Sequence, residues 1–217
     1  VYRGDAYPPE YRDFAFVADV AGNLFYRMKL VPDGVTFKAV QVDGNKNFCT
    51  SDDLWFRPVN FTNAPDGCLH VCDMFREVIE HPASLPPIIK KHLDLTSGRD
   101  CGRLYRIVHE GFTQPTIPKL SKATTAELVP LLAHKNAWHS ETAARLIYER
   151  QDKSIVPALE DLAKNCPSEL GRKNALYALG TLGALTPKHV LLGLTDTSPL
   201  VRANTVKLAE GFIKDAN

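Results

Sequence analysis

Residues 14–30 read Phe-Ala-Phe-Val-Ala-Asp-Val-Ala-Gly-Asn-Leu-Phe-Tyr-Arg-Met-Lys-Leu, and this stretch decides the fold of the first half of the chain. Two runs rich in aromatic and β-branched residues flank Gly22 and Asn23, which predicts two strands joined by a tight turn. Asp33 and Gly34 predict a second turn, followed by a strand over 36–42.

Further short strands are predicted at regular intervals. The sequence favours strands at 55–61, 68–73 and 103–108, with a turn at 65–67 and a short helix over 86–93. Short strands that recur with turns between them are typical of a β-propeller or a sandwich.

The composition changes near the middle of the chain. Residues 1–110 hold 15 Ala and Leu with 14 aromatic residues, whereas residues 111–217 hold 31 Ala and Leu with 5 aromatic residues. Since Ala and Leu favour helices and aromatic residues favour strands, we expect a β plus α multidomain fold. The predicted domains are 1–110 and 111–217, joined by the loop at 110–115.

Sequence patterns typical of helix starts recur through the second half of the chain. Thr124 and Glu127 have the spacing of a capping box, and Ser154 precedes another apolar helical stripe. Thr186 and Ser198 each precede a proline, which places an N-cap hydroxyl before proline at the first helical position.

An internal repeat is predicted among these helices. Aligning Leu146, Leu179 and Leu208 gives steps of 33 and 29 residues, the spacing of paired-helix repeats. The run 196–202, Asp-Thr-Ser-Pro-Leu-Val-Arg, resembles the signature of HEAT repeats, in which Asp and Arg bridge successive turns of a solenoid. The resemblance implies a HEAT-like α-solenoid, with Arg202 in a repeat-stacking role.

Composition and charge exclude several classes. A 24.1 kDa chain that is 44% hydrophobic and 24% charged is neither disordered nor collagenous. With a formal charge of +1, the chain has no large positive charge that would attract nucleic acid. The sequence contains no run of 18 apolar residues, so no transmembrane segment is expected. Because the chain opens with Val1 and shows no signal peptide, we expect the true N-terminus to be missing.

Cysteine spacing and short motifs suggest little chemistry. Cys68, His70 and Cys72 could hold zinc, but strand residues four apart lie roughly 13 Å from each other, so buried small cysteines are favoured. Asn60 begins a glycosylation sequon, although the strand around it predicts burial. Hydrolase, zinc-protease and phosphate-loop motifs are absent from the sequence.

Four longer stretches carry a family resemblance. Residues 14–24, 55–61 (Trp-Phe-Arg-Pro-Val-Asn-Phe), 66–82 and 93–107 resemble the membrane-bound dehydrogenases with a PVC-type haem-binding architecture. The resemblance implies a propeller like that of soluble quinoprotein sugar dehydrogenases, then HEAT-like repeats and usually a cytochrome c domain. The chain departs from the family at His70, Phe75 and Cys101, and has Phe25 and Tyr26 where Val-His is usual.

The length of the β half limits what it can build. A propeller needs about 4 to 8 blades of about 40 to 45 residues, so 110 residues supply roughly two and a half. We therefore expect the last blades of a partial propeller, cut from a longer protein. The sequence contains no Cys-x-x-Cys-His, so it has no motif for attaching haem c.

The resemblance also implies candidate site residues. A quinone cofactor would need arginines for its carboxylates, oxygen ligands for calcium and a base for the substrate hydroxyl proton. The expected cofactors of the full-length protein are pyrroloquinoline quinone (PQQ) and calcium. The catalytic candidates are Arg57, Arg76 and His81, and the cofactor-binding candidates are Asn60, Asp73, Arg99 and Arg103. Arginine–aspartate pairs that tie strands together are the structural alternative.

Two functions remain as hypotheses from the sequence. The first is the C-terminal part of a periplasmic or secreted quinoprotein-type dehydrogenase that oxidises a sugar or alcohol and passes electrons to a haem domain outside this chain. The second is a non-catalytic propeller and HEAT scaffold that binds a protein or polysaccharide. In the second hypothesis a protein partner docks on the helical repeats, and neither hypothesis involves nucleic acid.

Overall fold

The computed structural model describes residues 1–213. The chain divides into two compact units, Val1–Pro115 and Thr116–Asn217. The first unit carries the strands and one short α-helix, and the second carries the remaining α-helices. Across the described residues there are seven α-helices and two antiparallel sheets, which form neither a closed barrel nor a closed propeller.

The first unit contains seven strands in two sheets. Sheet A joins β1, β2 and β3 in that order, with β4 also pairing with β2, and sheet B has the order β5-β6-β7. The strands are β1 Ala15–Asp19, β2 Leu24–Asp33, β3 Thr36–Gln41, β4 Cys49–Thr50, β5 Pro58–Asn63, β6 Leu69–Asp73 and β7 Arg103–Ile107. The short helix α1 spans Pro87–Lys90.

The predicted strand-turn-strand of residues 14–30 is confirmed. β1 and β2 pair antiparallel from Ala15 with Met28 to Asp19 with Leu24, around a turn in which Asn23 has a φ of 55°. Asparagine tolerates this left-handed conformation better than most residues. β2 runs further than predicted, to Asp33, and forms a hairpin with β3 through Gly34 at φ 60°.

One strand begins later than its sequence pattern predicts. The expected strand over 55–61 starts only at Pro58. Asp53 explains the delay, because its carboxylate accepts the N–H of Trp55 at 2.9 Å and its carbonyl accepts the N–H of Phe56 at 3.0 Å. These bonds hold residues 53–56 in a turn.

An apolar core lies between the two sheets. Phe25, Phe56 and Val71 are buried there, with Phe16 and Phe61 packed against them. Phe25 and Phe61 meet edge to face at 5.3 Å between ring centroids, an arrangement that aromatic rings favour. Each fully buried side chain of this kind contributes about 2 kcal/mol, so this core fixes the inner face of both sheets.

The second unit is helical. Its helices are α2 Thr125–Leu128, α3 Ala137–Arg150, α4 Val156–Asn165, α5 Glu169–Thr181, α6 Pro187–Leu194 and α7 Pro199–Ile213. Two apolar clusters hold them together: one contains Leu128, Leu132, Ile147, Leu159 and Leu179, and the other contains Leu176 of α5 and Val201 of α7, with Leu192 of α6 packed against it. Within residues 1–213, no helix combines the length and hydrophobicity that crossing a membrane requires.

Most of the predicted helix starts are confirmed. Thr124 and Glu127 form a reciprocal capping box at α2, and α6 and α7 begin at the prolines that follow Thr186 and Ser198. The start of α4 differs. The carboxylate of Asp152, not the hydroxyl of Ser154, caps the helical turn before α4 by accepting an N–H at 3.0 Å.

Candidate functional site

Asp73 lies at the centre of the candidate site, at the end of β6. Its carboxylate is fully buried, and Oδ1 accepts the backbone N–H of Arg57 and of Phe75, both at 2.8 Å. Phe75 has a φ of 50°, so the chain turns sharply after the strand. Two N–H bonds to one carboxylate oxygen hold this turn against the start of β5.

The guanidinium of Arg57 is bonded to the backbone. Nη1 donates to the carbonyl of Val20 at 2.8 Å, Nε to that of Arg76 at 2.9 Å, and Nη2 to that of Glu77 at 3.0 Å. The arginine therefore ties the β1–β2 turn to the loop after β6. A ligand carboxylate could take a bidentate contact from Arg57 only by displacing some of these bonds.

Arg103, the first residue of β7, faces the other oxygen of Asp73. Its Nη1 lies 3.6 Å from Asp73 Oδ2, which is buried and has no hydrogen-bond partner. The guanidinium carbon of Arg103 lies 3.6 Å from the ring centroid of Phe75, a cation–π stack, and the side chain remains 42% exposed. Arg103 is thus charged, held in place and partly open to solvent.

Arg76 also belongs to this cluster. Its Nη1 donates to the carbonyls of Met74 at 3.3 Å and Phe75 at 3.1 Å. Both acceptors are in its own turn, so these bonds stiffen the turn and leave the other amino group of the guanidinium without a hydrogen bond among the described residues. The structure therefore brings Arg57, Asp73, Arg76 and Arg103 together.

The remaining predicted site residues are used elsewhere. His81 caps a short 3-10 helix, because its Nδ1 accepts the N–H of Ala83 at 3.1 Å. Arg99 and Asp100 form a long, exposed pair at 3.6 Å. Asn60 is exposed on β5, so its predicted burial is wrong; strand alternation directs it to the outer face of sheet B.

The cluster offers anion contacts more readily than calcium ligands. Calcium takes six to eight oxygen ligands, whereas the free oxygen of Asp73 faces the positive charge of Arg103. Within residues 1–213, no three His, Cys, Asp or Glu side chains are grouped closely enough to hold a metal. Calcium therefore does not fit this cluster, and a quinone carboxylate would find Arg103 open but Arg57 engaged.

The prediction that the cysteine thiols are buried is confirmed only in part. Cys68 is fully buried, and burial raises the pKa of its thiol to about 11. Cys72 is half-buried, and Cys101 is exposed. All five cysteines are free thiols.

The outer face of sheet A is apolar and exposed. Strand alternation places Tyr26, Met28 and Leu30 on one face of β2, and the register adds Val17 from β1 and Phe37 from β3. The exposed fractions are 36% for Val17, 40% for Leu30 and 65% for Phe37. The opposite face of β2 carries the buried Phe25. Exposed apolar side chains that share one sheet face make this face a candidate interaction surface.

The helical unit has a groove between α4 and α6. Its volume is roughly 580 Å³, and apolar side chains from both helices line it together with charged ones. Inside it, Nε2 of His189 lies 3.0 Å from Glu160 Oε1, and Nδ1 accepts the N–H of Thr186 at 3.1 Å. Sequence reasoning missed this groove. The one available signal was His189 at the third position of α6, where a capping partner belongs.

Comparison with known proteins gives one family match. The family model described as "Domain of unknown function (DUF7133)" matches residues 1–111, just over half of the chain. No curated protein and no solved structure matches the chain. The matched residues contain both sheets and the whole Asp73 cluster. The chain therefore belongs to the DUF7133 family.

Proposed function

We propose that this chain is a binding module, built from two propeller-type blades followed by HEAT-like repeats, that docks onto other protein surfaces. One observation carries the proposal: the outer face of sheet A exposes apolar side chains, among them Leu30 at 40% and Phe37 at 65%. The guanidinium of Arg57 is bonded to three backbone carbonyls, and these contacts support a structural role for it rather than a cofactor contact.

The arrangement of the sheets supports propeller-type blades. Propeller blades are small antiparallel sheets that stack face to face, so a blade within the ring is covered on both faces. Sheets A and B share the core around Phe25 and Val71, while the outer face of sheet A exposes Leu30 and Phe37. The apolar outer face is the place where another blade would pack.

The helices support a HEAT-like repeat. The N-caps of α3, α5 and α7 are Asn136, Ser168 and Ser198, which gives steps of 32 and 30 residues rather than the predicted 33 and 29. Arg172 and Arg202 occupy the same place in successive repeats. Nη1 of each donates to the carbonyls six and five residues earlier.

An ion pair joins these two repeats. Arg172 binds Asp196 through two hydrogen bonds, at 2.7 and 2.8 Å, and both side chains are largely buried. A bidentate pair of this kind fixes orientation as well as distance. It links α5 to the loop before α7, as the Asp and Arg of a HEAT-type ladder would.

A quinoprotein-type dehydrogenase is the second candidate. It is favoured by Arg103, which is half-exposed and only loosely held by the buried Oδ2 of Asp73, an atom 3.6 Å away that receives no hydrogen bond, since Arg103 could contact one carboxylate of PQQ. In this proposal the full-length protein is periplasmic or secreted and oxidises a sugar or alcohol. Calcium ligands and most of the active site would then come from outside residues 1–213.

The binding role is tested on the outer face of sheet A. We expect the chain to bind the dye 8-anilinonaphthalene-1-sulfonate and to self-associate as its concentration rises. The double change Leu30→Asp and Phe37→Asp should reduce both effects, whereas Lys38→Asp, on the opposite face of the same hairpin, should not. If the wild-type chain neither binds the dye nor self-associates, the proposal is contradicted.

The dehydrogenase candidate needs its own assay. The full-length protein is mixed with PQQ and calcium, and reduction of an artificial electron-accepting dye is followed with sugars and alcohols. The binding-module proposal predicts no reduction above background. Reduction that is lost in Arg103→Ala and kept in Arg99→Ala, with both variants folded, would favour the dehydrogenase.

A further inference from the structure

Strand β7 has one free edge. It pairs only with β6, from Leu69 with Ile107 to Asp73 with Arg103. In an antiparallel pair, the backbone groups of successive residues point alternately toward the neighbouring strand and away from it. One side of β7 therefore presents N–H and C=O groups to which no strand within residues 1–213 is paired.

The hydroxyl of Tyr7 shows which residues of β7 point to this edge. It accepts the N–H of Leu69 at 2.9 Å and donates to the carbonyl of Ile107 at 2.7 Å, so these two backbone groups point toward each other. The odd-numbered residues of β7 therefore face β6. The N–H and C=O groups of Leu104 and Arg106 point to the free edge.

The charged side chains of β7 do not block the edge. Charged residues on edge strands commonly prevent further pairing. Here Nη1 of Arg106 contacts Oδ2 of Asp66 at 3.3 Å, and Nη1 of Arg103 lies 3.6 Å from Oδ2 of Asp73. Asp73 ends β6 and Asp66 precedes it, so both guanidinium groups are drawn toward β6. Leu104, between them, is 75% exposed.

An apolar cavity lies beside this edge. Its volume is roughly 260 Å³, and it lies between β7 of sheet B and β4 of sheet A, which are both edge strands. Arg106 is the one charged residue in its lining, and strand alternation directs that side chain to the opposite face of sheet B. Apolar side chains from both sheets line the cavity: Phe25, Phe56, Val71, Tyr105 and Ile107.

The size and lining of the cavity suit one apolar side chain. An apolar cavity of about 150 Å³ holds a benzene-sized group, whereas sites for whole small ligands begin at about 300 Å³. The cavity therefore has room for one leucine or phenylalanine side chain. A charged side chain would lose its hydration there without gaining a charged partner.

The edge and the cavity are placed for the same occupant. A strand added to β7 would bond to the backbone of Leu104 and Arg106. Its residue opposite Tyr105 would point to the same side of the sheet as Tyr105, which is the side of the cavity. In known cases of strand addition, the backbone bonds supply affinity and pockets for alternate side chains supply specificity.

We propose that the free edge of β7 binds an extended segment of a partner protein as a fourth strand of sheet B, with one apolar side chain of that segment in the cavity beside Tyr105. This proposal rests on the binding role proposed above and names a second surface for it. Propeller blades have four strands, so the added strand would give sheet B the full number.

A second copy of the chain fits this edge less well. Antiparallel pairing of two β7 strands over their whole length sets Tyr105 opposite Tyr105, and Arg103 of the second copy opposite Ile107. The second copy would thus bring a charged side chain to the side of the sheet on which the apolar cavity lies. A partner segment with an apolar residue at this position avoids that cost.

Peptide binding tests the proposal. The probes are fluorescein-labelled heptapeptides of sequence Lys-Thr-Thr-X-Thr-Thr-Glu, in which X is Phe, Leu, Asp or Lys and threonine favours an extended backbone. Fluorescence anisotropy with the whole chain should show at least tenfold tighter binding when X is Phe or Leu than when X is Asp or Lys. Absence of binding, or equal binding of all four peptides, overturns the proposal.

Methylation of the peptide backbone tests the strand pairing. In the proposed register, the N–H groups of the two residues that flank X face β7, and the N–H of X faces away. N-methylation of either flanking residue should weaken binding of the Phe peptide at least tenfold, whereas N-methylation of X should change it less than threefold. Equal effects at the three positions would exclude strand pairing and overturn the proposal.

Two substitutions of Leu104 locate the bound peptide. Leu104→Pro removes an N–H that the peptide would use, and proline is tolerated on an edge strand where its nitrogen faces solvent. Leu104→Thr removes the apolar side chain but keeps the N–H. With both variants folded by circular dichroism, Leu104→Pro should weaken binding of the Phe peptide at least tenfold and Leu104→Thr less than twofold. Equal binding by both overturns the proposal, and if Leu104→Pro does not fold, the methylated peptides decide alone.

The double change Leu30→Asp and Phe37→Asp separates this edge from the outer face of sheet A. This variant should bind the Phe peptide as tightly as the wild type does, so either surface can fail without the other. Loss of peptide binding would place the peptide on sheet A and overturn the proposal. If the variant dimerises in sedimentation and Leu104→Pro abolishes the dimer, a second copy occupies the edge, which also overturns it.

Discussion

Replacing Arg57 by methionine measures how much the structure depends on this residue. Methionine keeps the length and the apolar part of the side chain but removes three hydrogen bonds at 2.8 to 3.0 Å. A bond from a charged donor contributes about 1.5 to 3 kcal/mol. Because Arg57 is only half-buried and freed carbonyls can bind water, we discount this to about 1 kcal/mol per bond, or about 3 kcal/mol in total.

The assay must report on the first unit alone. The chain has two tryptophans, Trp55 in the first unit and Trp138 in the second. In a Trp138→Phe background, the fluorescence of Trp55 follows urea and thermal unfolding of the first unit. A loss of about 3 kcal/mol in a unit of this size should lower its Tm by roughly 12 °C.

A matched control decides the interpretation. Arg99→Met removes the same charge from an exposed residue whose ion pair is long, so it should cost less than about 0.5 kcal/mol. If Arg57→Met costs no more than Arg99→Met, the three carbonyl bonds contribute nothing to stability. The structural assignment of Arg57 would then be refuted, and the residue would again be a candidate for ligand binding.

Three other predictions concern stability and reactivity. The two hydrogen bonds from Arg172 hold the pKa of Asp196 below its usual range. The contribution of Asp196 to stability is therefore complete above about pH 4 and is lost as the pH falls further. In unfolding followed by circular dichroism, Asp196→Asn should reduce the loss of stability at acidic pH. Gly98→Ala should cost about 2 kcal/mol in urea unfolding, because φ is 82° and the added Cβ would strike a backbone carbonyl, whereas Gly111→Ala, at φ 77° in open space, should cost about 1 kcal/mol. With Ellman's reagent at pH 8, Cys101 should react fast and Cys68 only upon unfolding, because Cys68 is buried and its thiol pKa is raised.

Local patterns predicted most of the secondary structure. Alternation and turn residues located β1 and β6 to within one residue and the start of β2, and proline after a hydroxyl residue located α6 and α7. The pattern failed where a side chain bonded to the backbone changed the conformation, as Asp53 does before β5. It also missed β4, because a two-residue strand has no detectable period.

The candidate site was predicted only as a set of residue types. The resemblance pointed to Arg57, Asp73, Arg76 and Arg103, which the structure brings together, and also to His81, Asn60 and Arg99, which lie outside that cluster. Sequence could not separate the two groups, because the separation depends on which hydrogen-bond partners each side chain finds. The groove between α4 and α6 depends on helix packing, which single-helix patterns do not describe.

The bonds of Arg57 also affect how this region can change during evolution. Its three acceptors are carbonyls, and every amino acid has one, so the residues at positions 20, 76 and 77 can be replaced without removing an acceptor. Position 57, by contrast, needs the three-nitrogen geometry that only arginine has. These hydrogen bonds therefore constrain the amino acid at position 57 but not the amino acids at positions 20, 76 and 77. Methods that infer contacts from paired substitutions would not detect them.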